Sequence, residues 1–234
     1  MNPDFPAPRR MHASSQTGKT LAAAPTASRF QHAVFSASFA ALRQLPLPEG
    51  KEVAFVGRSN AGKSSAINTL TNRRRLAYVS KTPGRTQLIN FFSLGNQCHL
   101  VDLPGYGYAT APQTVKSEWG ELVAGYLASR ESLAGLILIM DCRHPLKPLD
   151  RQLLEWLSMR GTPVHVLLTK ADKLSRRQAA DTLLHVRQAL KTCYPQATAQ
   201  LFSSLSRQGL VEAEAVIEHL LAAAADSSAN GGSP

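Results

Sequence analysis

Eight residues between positions 57 and 64 have the types and spacing that bind a polyphosphate. They are Gly57, Arg58, Ser59, Asn60, Ala61, Gly62, Lys63 and Ser64, and they directly follow the apolar run 53–56. Glycines after a buried strand leave backbone N–H groups facing a concavity, at the positive end of the next helix. The pattern predicts that Lys63 reaches the β- and γ-phosphates and that Ser64 ligates Mg²⁺. The alternative, a glycine turn that happens to carry a lysine, is disfavoured by the complete match.

A second group of residues suits a metal and a γ-phosphate. It consists of Asp102, Leu103, Pro104 and Gly105, at the end of an apolar run that closes at Val101. An Asp at a strand end can hold Mg²⁺ through water, and a glycine N–H can approach the γ-phosphate because no side chain intervenes. Asp-x-x-Gly alone is a common turn, but its place roughly forty residues after the phosphate loop favours the functional interpretation.

A third group predicts which base is bound. It consists of Thr169, Lys170, Ala171 and Asp172, after the apolar run 164–168. The two oxygens of an Asp match the paired N1–H and N2–H₂ donors of guanine, whereas adenine presents an acceptor at N1. A weaker signal at the next strand end is Phe202, Ser203 and Ser204, whose backbone N–H groups would meet the guanine O6. The alternative role for both segments is to cap the helix that follows.

Residues 80–87 are the candidate for a segment that senses the γ-phosphate. Such a segment needs a hydroxyl to complete the Mg²⁺ coordination. Thr82 and Thr86 both qualify, and their positions alone do not separate them.

The elements that must position these groups follow from hydrophobic periodicity. Apolar runs predict six strands, at 53–56, 87–94, 97–101, 136–140, 164–168 and 199–202. Gly95-Asn96 predicts a hairpin between the second and third of them. Amphipathic helical patterns separate the other strands. Fully apolar strands that alternate with such helices predict an α/β fold, a mostly parallel six-stranded sheet with helices on both faces. Ligands of such sheets bind at the carboxyl ends of the strands, where every group above falls.

Composition limits the remaining possibilities. The 234 residues, 44% of them hydrophobic, suffice for one domain. No segment has the length and hydrophobicity of a membrane span or a secretory signal, so we expect a cytoplasmic monomer. The three cysteines, at 98, 142 and 193, predict buried thiols rather than a disulfide or zinc framework. A net charge of +10 favours a polyanionic partner.

With these motifs in this order, the chain resembles the EngB (YihA/YsxC) family of small bacterial GTPases, over about residues 30–221. The match is most specific at 57–65 and 102–108. The resemblance implies a three-layer Ras-like P-loop domain that binds GTP or GDP with Mg²⁺. It also implies a role in assembling the 50S ribosomal subunit or its precursor, with ribosomal RNA as partner, and a need for the protein in cell division and septation. By the same resemblance Thr86, not Thr82, is the switch and metal-binding threonine, and the nucleotide is lined by Gly84, Arg85, Thr86, Gln87 and Leu88.

The chain departs from the wider Ras-like pattern at two positions. Thr169 replaces an Asn, which predicts the loss of a polar tie between loops. Tyr106 stands where related proteins carry the glutamine that orients the attacking water. We therefore expect hydrolysis to be slow or to depend on a further group, with Lys63 and Thr86 as candidate catalytic residues. In related GTPases without that glutamine an Asn helps to bind K⁺, so Asn60 predicts K⁺ stimulation, or else merely stabilises its own loop.

Two classes of function remain at this stage. The first is a GTP-dependent switch, with a G domain at 28–223 and disordered tails at 1–27 and 224–234. The second is a catalytic P-loop ATPase or small-molecule kinase. Asp172 argues against ATP, and no lid segment or acceptor site is evident.

Overall fold

The computed structural model describes residues 28–77, 88–106 and 113–229. The predicted tail at 1–27 lies outside them. Thr82, Gly84, Arg85, Thr86 and Gln87, with their predicted roles, also lie outside the described residues.

The described residues form one seven-stranded sheet with the order β1-β3-β4-β2-β5-β6-β7. The strands are Val34–Phe39 (β1), Lys51–Gly57 (β2), Ile89–Ser93 (β3), Cys98–Asp102 (β4), Leu133–Asp141 (β5), Val164–Thr169 (β6) and Ala197–Leu201 (β7). Strands β3 and β4 form the predicted antiparallel hairpin, and β1 pairs antiparallel with β3. The pairings β4-β2, β2-β5, β5-β6 and β6-β7 are parallel. The predicted mostly parallel sheet is confirmed.

Five helices cover both faces of the sheet. They are Lys63–Leu70 (α1), Gln113–Ser129 (α2), Pro148–Arg160 (α3), Arg176–Cys193 (α4) and Leu210–Ala229 (α5). Apolar side chains of α2, α3 and α4 pack in one buried cluster with Ala54 and Val56. Those of α1 and α5 pack in a second cluster with Val53 and Phe55. Because successive side chains of a strand point to opposite faces, β2 contributes to both cores and the domain has three layers.

The structure corrects the prediction of six strands. The additional strand is β1, which lies at the edge of the sheet and pairs only with β3. Its side chains are mostly exposed, and Phe35 is 55% exposed. An edge strand of this kind is stabilised by backbone pairing with its neighbour rather than by a buried face, so its periodicity is weak.

The last helix, α5, continues to Ala229, past residue 223, where we predict that the G domain ends. The four consecutive alanines at 222–225 have the highest intrinsic helix propensity, which favours continuation of the helix. No helix among the described residues is long and apolar enough to cross a bilayer.

A buried charge cluster holds the start of β2 against α2. The Glu52 carboxylate, 1% exposed, receives hydrogen bonds from Arg130, from the Tyr126 hydroxyl at 2.5 Å and from Ser132 at 2.8 Å. The Arg130 guanidinium also donates to the Pro46 carbonyl at 2.6 Å. A buried carboxylate requires this degree of pairing, so the cluster specifies how α2 docks.

Candidate nucleotide site

The phosphate loop joins β2 to α1, as the sequence predicts. A Cβ at Gly57 would lie 2.6 Å from the Ile139 carbonyl oxygen, so only glycine allows this approach to β5. Gly62 precedes α1 with φ of 101°, a left-handed conformation that glycine adopts without strain. The loop thus reverses sharply and places Lys63 and Ser64 in the first turn of α1, where helical N–H groups lack partners within the helix.

Lys63 and Asp102 meet in the structure although they lie 39 residues apart in the chain. The Lys63 ammonium forms an ion pair with Asp102, and the side chains are only 12% and 6% exposed. The pairing follows from the sheet order, because β2 and β4 are parallel neighbours whose carboxyl ends coincide. The phosphate loop and the predicted metal-binding Asp therefore form one site.

The segment after Asp102 is attached to the phosphate loop by backbone hydrogen bonds. The Tyr106 N–H donates to the Gly57 carbonyl at 3.1 Å, and the Ser59 N–H donates to the Tyr106 carbonyl at 2.7 Å. A Cβ at Gly105 would lie 3.3 Å from the Gly57 oxygen. Gly105 is thus packed on the phosphate loop. The Ser59 N–H is used within the protein, so it does not belong to the N–H groups directed at phosphate.

The Tyr106 side chain is buried and hydrogen-bonded to a residue of α3. Its ring is 2% exposed, and its hydroxyl donates to Asp150 Oδ1 at 2.5 Å. Asp150 is 1% exposed, and its other oxygen accepts the Lys147 N–H at 2.9 Å. Burial, and next the charge of Asp150, raise the pKa of Tyr106 far above its usual value. The hydroxyl stays protonated and donates its hydrogen bond to Asp150, so it does not orient water as the glutamine does.

The Asp172 carboxylate is stabilised in its ionised form by Ser203, which follows the neighbouring strand β7. The Ser203 hydroxyl, which is fully buried, donates to Asp172 Oδ1 at 2.6 Å and lowers the pKa of Asp172. The same hydroxyl oxygen accepts the N–H groups of Leu205 and Ser206 at 3.2 Å, but these belong to a turn, and the helix that follows, α5, begins only at Leu210. The Ser203 N–H donates to the Gln208 carbonyl at 3.0 Å. Of the predicted pair, Ser204 is therefore left as the N–H donor for a base oxygen.

Two side chains at the carboxyl end of β6, those of Thr169 and Lys170, connect the Asp172 segment to the phosphate loop. The Thr169 hydroxyl donates to the Ala61 carbonyl. The Lys170 ammonium donates to the Asn60 carbonyl at 2.6 Å and to Asp141 at 2.9 Å. The expectation that Thr169 removes a polar tie is wrong, because its hydroxyl reaches a loop carbonyl without the longer amide. These bonds fix the distance between the predicted base and phosphate subsites.

Sequence reasoning missed Asp141 and Asp150. Although burial opposes ionisation, hydrogen bonds from Arg143 and Lys170 hold the pKa of Asp141 well below its usual value. Asp141 thereby anchors Lys170, one of the residues predicted to bind the base. The available signal was an acid directly after the apolar run of β5. Asp150 carried no comparable signal, since an acid in the first turn of a helix is ordinary.

The other residues predicted to bind the nucleotide lie near the same edge of the sheet. Arg58 pairs with Tyr106 in an isolated parallel bridge, and Phe202 is fully buried after β7. Leu88, 36% exposed, immediately precedes β3. Within the described residues there is no cluster of three or more His, Cys, Asp or Glu side chains able to hold a metal. Mg²⁺ at a nucleotide site needs no such cluster, because phosphates and water supply most of its ligands.

Comparison with known proteins supports this assignment. Residues 52–170 match the model of a family described as 50S ribosome-binding GTPase. The chain is 59% identical over 197 residues to the "probable GTP-binding protein EngB" of Methylobacillus flagellatus, covering 84% of this chain and 95% of that protein. It is 56% identical over 205 residues to the protein of the same name from Azoarcus sp., covering 87% and 98%.

Solved structures show the same fold. A crystal structure of a probable GTP-binding protein EngB matches with a TM-score of 0.58 and 21% identity, covering 73% of this chain and 98% of that one. Era, solved with MgGDPNP and nucleotides of 16S ribosomal RNA, matches with a TM-score of 0.57 and 21% identity, covering 73% and 55%. At these identities the likeness concerns the fold.

Proposed function

Because the chain belongs to the EngB family of GTP-binding proteins and is a GTPase, we propose that it is a cytoplasmic GTP-dependent switch in the assembly of the 50S ribosomal subunit. The protein would also be required for normal cell division and septation. The observation that carries the proposal is the attachment of the Asp102–Tyr106 segment to the phosphate loop. A segment bonded in this way can register whether a γ-phosphate is present and transmit the difference to its neighbours.

The nucleotide would be bound by the residues that meet at the carboxyl ends of β2, β4, β6 and β7. Lys63 would bind the β- and γ-phosphates, which requires it to exchange part of its contact with Asp102 for phosphate oxygens. Ser64 and Thr86 would coordinate Mg²⁺, with Asp102 acting through water. A metal held by these residues would supply positive charge that offsets the negative charge of the phosphates.

Guanine would be selected by Asp172. Its carboxylate is ionised, and Ser203 holds one oxygen in place. Replacement of Asp172 by Asn converts an acceptor into a donor, so the preference should move from guanine to xanthine, whose N2 position carries an oxygen. The measurement is a titration of wild type and Asp172→Asn with GDP, XDP and ADP. A wild type that binds ADP as tightly as GDP would overturn the proposal in favour of a P-loop ATPase or kinase.

Hydrolysis would be slow and aided by K⁺. The Tyr106 hydroxyl is bonded to Asp150, which leaves this position without a group that orients water. Asn60 is exposed on the phosphate loop and adopts φ of 62°, and its carbonyl accepts from Lys170. A K⁺ ion held there could stabilise negative charge that develops in the transition state. Turnover should therefore be faster in KCl than in NaCl, and Asn60→Ala should abolish the difference. Equal wild-type rates in the two salts would exclude this role.

The proposed partner is the 50S subunit or its precursor. Support comes from the family description and from the net charge of +10, which favours binding to RNA phosphates. Exposed arginines at 73, 74 and 75 follow α1 and add to this charge near the site. Binding to purified 50S particles should weaken with salt and be tighter with a GTP analogue than with GDP. Binding that does not respond to the nucleotide would contradict a switch.

The septation role has its own test. If division fails because ribosomes are scarce, depletion of the protein should reduce mature 50S particles before septa become abnormal. Abnormal septa with a normal 50S population would instead indicate direct action in division.

A further inference from the structure

Three polar side chains form a hydrogen-bonded chain across β6 and β7, away from the residues assigned above. The Thr198 hydroxyl lies 2.7 Å from His165 Nδ1, and His165 Nε2 lies 2.9 Å from Gln200 Oε1. The Gln200 amide nitrogen donates to the Gly209 carbonyl at 2.6 Å. His165 and Gln200 are 5% and 9% exposed. Buried polar groups of this kind are costly unless every bond is made.

The hydrogen bonds assign a direction to the chain. Because the Gln200 amide nitrogen faces the Gly209 carbonyl, its oxygen must face His165. The imidazole therefore donates through Nε2 and accepts through Nδ1, which requires Thr198 to donate. Burial lowers the pKa of His165, which agrees with a neutral ring that has one donor and one acceptor. Each of the three hydrogen bonds thus has one direction, and in all of them the donor lies on the side of Thr198 and the acceptor on the side of Gly209.

Gly209 closes the loop that begins at Ser203. A Cβ at Gly209 would lie 2.1 Å from the Leu201 carbonyl oxygen, so the end of the loop is pressed against the end of β7. The residue before it, Gln208, accepts the Ser203 N–H at 3.0 Å. Ser203 in turn donates to Asp172. Gln200 consequently holds one end of a short loop whose other end orients the Asp172 carboxylate.

We propose that Gln200 is a positioning residue for guanine recognition, acting through the 203–209 loop on Asp172, and that His165 and Thr198 orient Gln200. The proposal rests on the proposed function, in which Asp172 accepts the N1–H and N2–H₂ groups of guanine. Without the Gln200 bond the loop end separates from β7, and the carboxylate loses the orientation that matches both donors. Phosphate binding at Lys63 does not depend on this loop.

The test compares GDP with IDP, which lacks the N2 amino group. Gln200→Met keeps the length of the side chain and removes its hydrogen bonds. We expect the ratio of GDP to IDP affinity to fall about fivefold, the size of one lost hydrogen bond, while the turnover of GTP at saturation is kept. Thr198→Val, at the exposed end of the chain, should lower the ratio in the same direction by about twofold. Thr192→Val is the control. It removes a similar hydrogen bond, from the Thr192 hydroxyl to the Gln188 carbonyl on α4, that is not connected to Thr198, His165 or Gln200.

A double-mutant cycle distinguishes positioning from general loss of stability. If Gln200 acts through Ser203, then Ser203→Ala should lower the ratio, and adding Gln200→Met should lower it little further. Additive effects of the two substitutions, or a folded Gln200→Met protein with an unchanged ratio, would overturn the inference. Should Gln200→Met fail to fold, an unchanged ratio in Thr198→Val overturns it instead. A wild type without preference for GDP over ADP would refute the proposed function itself.

Discussion

Removal of the Tyr106 hydroxyl tests whether this residue serves the fold or the reaction. Tyr106→Phe deletes a hydrogen bond of 2.5 Å to the buried carboxylate of Asp150, which keeps its bond from the Lys147 N–H. A hydrogen bond to a charged group contributes about 1.5–3 kcal/mol, so we expect the free energy of unfolding to fall by about 2 kcal/mol. In a chain of this size that lowers Tm by about 4–8 °C.

The loss should depend on pH in a defined direction. The Tyr106 hydroxyl stabilises ionised Asp150 more than the neutral acid, so its removal raises the pKa of Asp150 further. Burial already raises that pKa above 3.8. The destabilisation should therefore be largest at about pH 8, where Asp150 is ionised, and should shrink as the pH falls toward the raised pKa. Urea unfolding at several pH values measures this directly.

GTP turnover should stay within about twofold of wild type, because the hydroxyl donates to Asp150 and not to water. Tyr126→Phe is a matched control, since its hydroxyl donates at 2.5 Å to another buried carboxylate, Glu52. Glu52 keeps Arg130 and Ser132 as partners, so this loss should be smaller, about 1 kcal/mol. A tenfold or greater fall in Tyr106→Phe turnover, with unchanged unfolding free energy, would refute the assignment.

Other consequences can be measured independently. Arg130→Met leaves the buried Glu52 carboxylate without its cation and should lower the free energy of unfolding in urea by about 3–5 kcal/mol. Adding Glu52→Gln to this variant should restore part of the lost stability, and no restoration would mean that lost packing dominates. Burial raises the pKa of Cys142 to about 11, so at about pH 8 roughly one thiol in a thousand is ionised, and iodoacetamide should label Cys142 only after unfolding. Thr169→Val removes the hydroxyl bond to Ala61 and should weaken GDP binding about fivefold by calorimetry, whereas unchanged affinity would show that the loop does not need this tie.

Much of the fold could be predicted because its signals are local. Apolar runs alternating with amphipathic helices indicate a parallel sheet wherever they occur, and Gly95-Asn96 indicates a hairpin. The strand β1 could not be predicted in this way. Its exposed Phe35 differs little from a loop residue, and only pairing with β3 makes the segment a strand.

The site could be predicted in the types of its residues more than in their partners. Lys63, Asp102 and Asp172 follow strand ends, and parallel strands collect such residues at one edge. The effect of Thr169 was predicted wrongly, because whether its hydroxyl meets the Ala61 carbonyl depends on the tertiary structure. Its reach depends on how closely Gly62 lets the loop approach β6: a Cβ at Gly62 would lie 3.4 Å from the Thr169 hydroxyl oxygen.

By itself the sequence determined the fold class and the chemistry of the site, because hydrophobic periodicity and short motifs are properties of residues that are close in the chain. The tertiary structure alone decided which charges and hydroxyls meet. Lys63 pairs with Asp102, Tyr106 with Asp150 and Ser203 with Asp172, across 39, 44 and 31 residues of chain. Such pairs depend on which strands are neighbours and how the helices dock on them. Those relations arise only when the whole core is packed.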